Sequence, residues 1–453
     1  MTRRADDRPL KDTGRFLAEF ERLARASREP GWLAAIRQAG IARFGELGFP
    51  TLEDEDWRFT NLAPLAKLPF RPVRERATNG LTAAALAQFP LGALEATRLV
   101  FVNGQFAAEL GSIGAQPDGV TIGSLAAALA NDAAALEPHL ARYARSGEHS
   151  AFASLNAAFF LDGAFIHVPA GRAVEPPVHL VYVTTAAESG ATTHPRNLII
   201  AGAGSRLTVI ESYVATVGSA YFTNAVTEMV VGDGAVVEHC KFQDESTAAF
   251  HLATLAAKLG RSSNFISHSI ATGARLSRQN LRTELAGEGL EAILNGLYLT
   301  KGEQLADHHM IVDHTQPRCA SHEYFNGILD DKSKGVFHGR ILVRPDAQKT
   351  DAKQTNKNLL LSDEATIDTK PQLEIYADDV KCTHGATVGQ LNEESIFYLR
   401  ARGIGADTAR RMLIHAFAGE IIERIRHEPL RQALDKLVWE RLEQNPHLAA
   451  ASK

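Results

Sequence analysis

The chain has 453 residues, of which 45% are hydrophobic and 22% charged, with a formal net charge of −5. That size allows a large core and two or three domains. The acidic balance and the lack of a Lys/Arg block exclude a basic stripe for nucleic acid or a patch for anionic lipid. The apolar runs are far too short to span a bilayer, and Cys240, Cys319 and Cys382 form no pairing pattern, which predicts a reducing, cytoplasmic setting.

At the N-terminus, MTRRADDRPLKDTGRF carries charge but no apolar segment. It does not read as a secretory signal, and its acids argue against an organelle transit peptide. Residues 13–26 place Phe16, Leu17, Phe20, Leu23 and Ala24 on one helical face, with Thr13 as N-cap. Residues 31–48 continue as helix with Trp32, Leu33, Ile36, Phe44 and Leu47. The irregular stretch after Gly48 uses Trp57 and Phe59 to pin a loop onto the body. Residues 80–160 are mixed, with GSLAAALANDAAALEPHLARYA as the clearest helix. Residues 1–160 are therefore expected to form a mostly helical N-terminal region.

From about residue 163 the texture changes to short β-branched and apolar runs punctuated by Gly, Asp and Asn, such as RNLIIAGAGSRL and EMVVGDGAVVEHCKF. Glycine turns precede strand starts at Gly204, Gly234, Gly260, Gly273, Gly289 and Gly302. Pairs of these intervals give a period of about 26–30 residues, the range of solenoids. Many strands are near-continuously apolar and tight hairpin signals are few, which favours a parallel β-helix over a sandwich or barrel. The core is expected to span 161–391, with the flanking helices capping its ends.

Residues 392–453 read as a C-terminal helical domain. Asn392 is placed to cap one helix, Gly403 to end it, and Asp407 to cap the next. On that next helix Ala409, Met412, Leu413, Ala416, Phe417 and Ile421 form a stripe, and Ile414, Ala418 and Ile422 widen it beyond one face. The two readings are full burial or a side kept for a partner protein.

No P-loop, dinucleotide fingerprint, H-E-x-x-H, C-x-x-C or G-x-S-x-G occurs. Asp330–Asp331 is the one tempting acidic pair and reads as a turn. In DHHMIVDHTQPRCASH, His308, His309, His314, His322 and Cys319 crowd together. A metal needs three or four ligands converging at about 2.0–2.3 Å, and no spacing here matches such a site, so polar ladders are expected instead. Cys382 and His384 stand at i and i+2 on one strand face, about 7 Å apart. Thiolate and imidazole suit iron or zinc, but two ligands need a second chain to complete a site. Counting parity from Leu373, Ile375 and Ala377 points Cys382 outward; if ADD is a turn, Cys382 points inward.

The segment from KTDAKQTNKNLLL through CTHGATVGQL to FYLRARGI closely resembles the SufB/SufD family of iron–sulfur cluster assembly proteins, and DEDWRFTNLAPL resembles its Trp-aromatic-Thr segment. CTHGATVGQL, FYLRARGI and HAFAGEI are similar to the SufD branch rather than the SufB branch. The resemblance implies a right-handed parallel β-helix with helical ends and a non-enzymatic scaffold subunit of a SufBCD-type complex. It implies that a SufC-like ABC-type ATPase docks on the C-terminal helices, at Met412, Ile414, Phe417 and Ala418. A SufB-like subunit would pair with the β-helix; whether the chain forms a homodimer in isolation is left open by the sequence. It also implies a cluster or iron held transiently at that interface by Cys382 and His384, with His384 the metal ligand and no tightly bound cofactor on the isolated chain. Two readings compete: a β-helix carbohydrate-active enzyme, and a metal-binding module built on the 308–322 histidines.

Overall fold

A computed structural model of the chain describes residues 11–26, 28–144 and 151–444. Most of the charged N-terminal stretch read above lies outside these residues. Between Ala164 and Gly389, successive long strands alternate between two sheets, and each strand pairs in parallel with the strand two further along the chain. The result is a parallel β-solenoid of about eight turns. The residue offset between neighbouring coils runs from 26 (Phe250 beside Leu276) to 33 (Phe165 beside Leu198), close to the repeat read from the glycines.

The turn glycines serve two needs. Gly234 takes φ +65°, open to glycine at little cost. Gly260 sits where one coil stacks on the last: a Cβ there would lie 2.9 Å from the backbone nitrogen of Asp233.

Inward-facing residues of both sheets, among them Val209, Val237, Phe265, Leu294, Met310, Phe325 and Phe337, form one continuous buried core. Each such side chain contributes roughly 1.5–3 kcal/mol on leaving water. Alternate positions face outward yet are also buried, and the helices explain why. Helices α1 (Gly14–Ala26), α2 (Gly31–Leu47), α3 (Leu125–Leu136) and α4 (Ala151–Phe159) belong to the N-terminal region. Phe16, Phe44, Trp57, Phe152 and Phe159 pack with Phe222, Phe250, Leu252 and Leu276 on the outer wall of one sheet. Helices α5 (Glu393–Ala401), α6 (Ala406–Ile422) and α7 (Glu428–Glu443) follow the solenoid. Ile414, Ala418, Ile421, Leu430, Leu434 and Val438 pack on Ile210, Cys240, Phe242, Ile270, Leu297 and Ile328, the outer wall of the other sheet. The helices thus cover the side walls rather than the ends, and the strands read as continuously apolar because both their faces are dry.

The N-terminal region is less helical than its composition suggests. Thr97–Val102 adds a parallel strand beside Val178–Thr184, and Thr121–Ser124 pairs antiparallel with Ala164–Val168. α3 is kinked at Asp132 (φ −149°, ψ 69°). Asn392 caps α5, its Oδ1 accepting from the nitrogens of Glu394 at 2.8 Å and Ser395 at 3.1 Å, and Gly403 (φ +85°) follows its end. Asp407 lies in the first turn of α6, whose N-cap is Gly405.

Two buried ion pairs weld the N-terminal region to the solenoid. The Glu228 carboxylate accepts from Arg196 Nη2 at 2.7 Å and from the backbone nitrogens of Ala141 (2.7 Å), Tyr143 (2.7 Å) and Ala144 (3.0 Å). Arg278 donates to Asp307 at 2.5 Å, stacks over Trp57 at 3.7 Å, and donates to the carbonyl of Asp56 at 2.8 Å. Thr60 Oγ1 donates to the same Asp307 oxygen at 2.6 Å. Trp57 therefore pins its loop as its type predicts, while Phe59 is only half-buried.

Candidate functional site at the open end of the solenoid

Among the described residues, the strand Lys381–Gly389 is last in its sheet and pairs only with Asp351–Leu360; the facing sheet ends with Thr366–Ile375. The chain leaves its regular strand at residues 376–380 and starts a new one at Lys381. That break resets the parity, so Cys382 and His384 face inward. Cys382 lies beside Ala352 and packs against the buried cluster of Ile341, Val343, Ala347, Ala352 and Ala377. His384 lies beside Gln354 and is exposed, because no further coil among the described residues stacks over it. Partial burial pushes the Cys382 thiol up from its ordinary value, against the pull of a hydrogen bond from the Ala352 backbone. A cation brought close would favour the thiolate.

Beneath His384 the inner face is polar. Gln354 Nε2 donates to Glu323 Oε2 at 2.5 Å, and both residues are buried. Burial raises the Glu323 carboxyl to about 7. Its folded value lies above its unfolded value of 4.5, so its stabilising contribution is complete below pH 4.5 and is lost as pH rises to about 7. The expected loss is on the order of 3 kcal/mol, and urea unfolding at pH 5 and pH 8 should show it in the parent chain but not in Glu323→Gln.

The other sequence-derived candidates disperse. His308 and His314 both point inward, but to separate partners, Ser269 Oγ at 3.0 Å and Ser321 Oγ at 2.9 Å. Cys319 donates to the carbonyl of Gly287 at 3.1 Å and Cys240 is buried under the C-terminal helices. The 308–322 histidines therefore do not converge as a module. Asp331 sits in a turn (φ +54°), its Oδ2 accepting from Gly302 N at 2.9 Å, and the pair with Asp330 serves the backbone there.

The four residues assigned to partner docking divide. Ile414 and Ala418 are fully enclosed between α7 and the solenoid wall and form no surface. The wide apolar arc of α6 is accounted for by two neighbours of its own chain. Phe417 is half-buried, and Met412 is exposed at 39%. Apolar residues that spacing did not single out are more exposed: Phe397 (72%), Tyr376 (60%), Tyr398 (57%) and Val388 (50%). The adjacent aromatics Phe397 and Tyr398 were a usable signal, since Ile396 already occupies the buried face of α5.

Residues 182–417 match the family model described as the SUF system FeS cluster assembly, SufBD core domain, and residues 16–180 match the SufBD protein N-terminal region. The chain belongs to the SufBD family. It is 35% identical over 405 residues to an iron–sulfur cluster assembly SufBD family protein of Synechocystis, covering 88% of each chain. It is 34% identical over 398 residues to the iron–sulfur cluster assembly protein SufD of Escherichia coli, covering 87% of this chain and 90% of that one. It is also 31% identical over 412 residues to the chloroplastic protein ABCI7 of Arabidopsis thaliana, covering 88% and 84%. The SufBD core match begins at Tyr182, inside the strand Val178–Thr184, and ends at Phe417, inside α6.

Proposed function

We propose that this chain is the SufD-like scaffold subunit of a SufBCD-type complex and has no catalytic role of its own. The observation that carries the reading is the inward-facing Cys382–His384 pair at an uncovered end of the solenoid. A thiol and an imidazole are two donors of the right softness for iron or a cluster. The remaining donors would come from a SufB-like subunit seated across the open end, with the cluster as transient cargo. The exposed edge strands and Tyr376 and Val388 offer that subunit backbone groups and apolar surface together. A second copy of the chain would use the same face when that subunit is absent. Three free cysteines fit a cytoplasmic, reducing setting.

A SufC-like ATPase would dock on the exposed side of α5 and α6, around Phe397, Met412 and Phe417. Motion of α6 has a direct route to the site. Glu420 pairs with Lys357 at 2.8 Å, Asn326 donates to the Phe417 carbonyl at 2.9 Å, and Arg424 stacks on Tyr324 at 3.6 Å. Lys357 lies on the strand that pairs with Lys381–Gly389.

His384→Ala in cells dependent on this pathway should reduce cluster-enzyme activity with subunit abundance unchanged; undiminished supply would remove His384 from the mechanism. For docking, Met412→Asp should abolish co-purification with the ATPase while thermal unfolding stays unchanged. Ile414→Asp should instead unfold the subunit, by about 3 kcal/mol or more, because it leaves a charge in a dry core. Retained co-purification of folded Met412→Asp would move the contact elsewhere.

A further inference from the structure

Away from the open end, on the outer wall covered by the N-terminal region, a second set of donors converges. His309 and His338 are register partners on adjacent strands, so both imidazoles leave the sheet on the same face. His309 Nε2 lies 2.8 Å from His338 Nδ1. Asp56 Oδ1, delivered by the overlying loop, lies 3.4 Å from His309 Nε2 and 3.9 Å from His338 Nδ1. These three atoms all lie within 4.8 Å of one another. Two imidazoles and a carboxylate held at 2.0–2.1 Å around a tetrahedral ion stand about 3.3 Å apart, the middle of the observed spread. Small side-chain rotations would admit an ion.

The surroundings match those of a metal site. His338 Nε2 donates to Gln372 Oε1 at 2.6 Å, which leaves the lone pair of Nδ1 directed at the cluster, the outer hydrogen bond that metal-binding histidines use. Asp56 is held in place by its neighbours: Trp57 is buried under Arg278, and Arg278 grips the Asp56 carbonyl. On one side the cluster opens to a cleft of about 540 Å³ lined by Asp56, Arg278, Asn280, His309 and Gln372, with room for a water as fourth ligand.

We propose that Asp56, His309 and His338 bind one divalent first-row transition-metal ion, in a site distinct from the Cys382–His384 end. The ion would clip the N-terminal loop to the middle of the solenoid wall, joining segments far apart in sequence, and a clip of that span stabilises by closing a long loop. The probe is Co²⁺ added to the full-length, chelator-stripped chain carrying Cys382→Ser and His384→Ala, so that the open end contributes no ligand. The expected result is one Co²⁺ per chain with a tetrahedral visible spectrum and a raised Tm. Asp56→Asn, close to isosteric, and His309→Asn should each remove the spectrum and the Tm rise, and Gln372→Ala should weaken binding about 10–100-fold. No bound Co²⁺, or binding undiminished in folded Asp56→Asn, overturns the proposal.

Discussion

Glu228→Ala should destabilise the chain by at least about 3–5 kcal/mol, the range for removing one partner of a buried ion pair. The substitution removes the counter-charge of Arg196, which is 1% exposed and among the described residues keeps only Asn156 Oδ1 as a side-chain hydrogen-bond partner, and orphans the buried backbone nitrogens of Ala141 and Ala144 and the part-buried one of Tyr143. Each orphaned donor costs about 1–3 kcal/mol unless water reaches it. The second arm of the experiment is the apolar double variant, Arg196→Met with Glu228→Leu. In many proteins such a swap is neutral, but here it should remain strongly destabilising, because the carboxylate also satisfies three amides that no hydrocarbon can. Urea unfolding of the parent, single and double variants measures both effects. A double variant as stable as the parent would mean that the 141–144 segment finds other partners.

Val388→Lys should leave folding within about 0.5 kcal/mol of the parent, as exposed substitutions usually do, yet weaken pairing with a SufB-like subunit about a hundredfold or more. Val388 is half-exposed on the terminal strand. Seating a partner there would strip water from a lysine ammonium with no counter-charge supplied, and a desolvated unpaired charge costs several kcal/mol. Lysine on a free strand edge is also a common block to edge-to-edge pairing. Affinity of the purified subunits measures the effect. Unchanged affinity with normal folding would place the seam on another face.

The solenoid was legible because its physics is local. Glycines at Gly204, Gly234, Gly289 and Gly302 all take positive φ at the coil corners, and the apolar runs between them have the lengths of single strands. The facing of Cys382 was not legible, since parity depends on whether residues 376–380 continue a strand or break it. What covers each wall was less legible still. The roundly apolar α6 fits burial between two layers as well as it fits a docking face, and only the tertiary arrangement separates Ile414 and Ala418, inside, from Met412, outside. The Asp56–His309–His338 cluster draws on a loop and two strands remote in sequence, so no motif spacing marks it. Trp57, Arg278 and Asp307 escape sequence reading for the same reason.

Amide hydrogen exchange along Lys381–Gly389 is the most direct test of a seam at the open end. Among the described residues this strand hydrogen-bonds on one side only, so in the isolated chain its outward amides should exchange freely while those paired with Asp351–Leu360 are protected. In complex with a SufB-like subunit, the outward amides and those flanking His384 should become strongly protected. Equal exchange in the free and bound states, with the complex intact, would contradict the account.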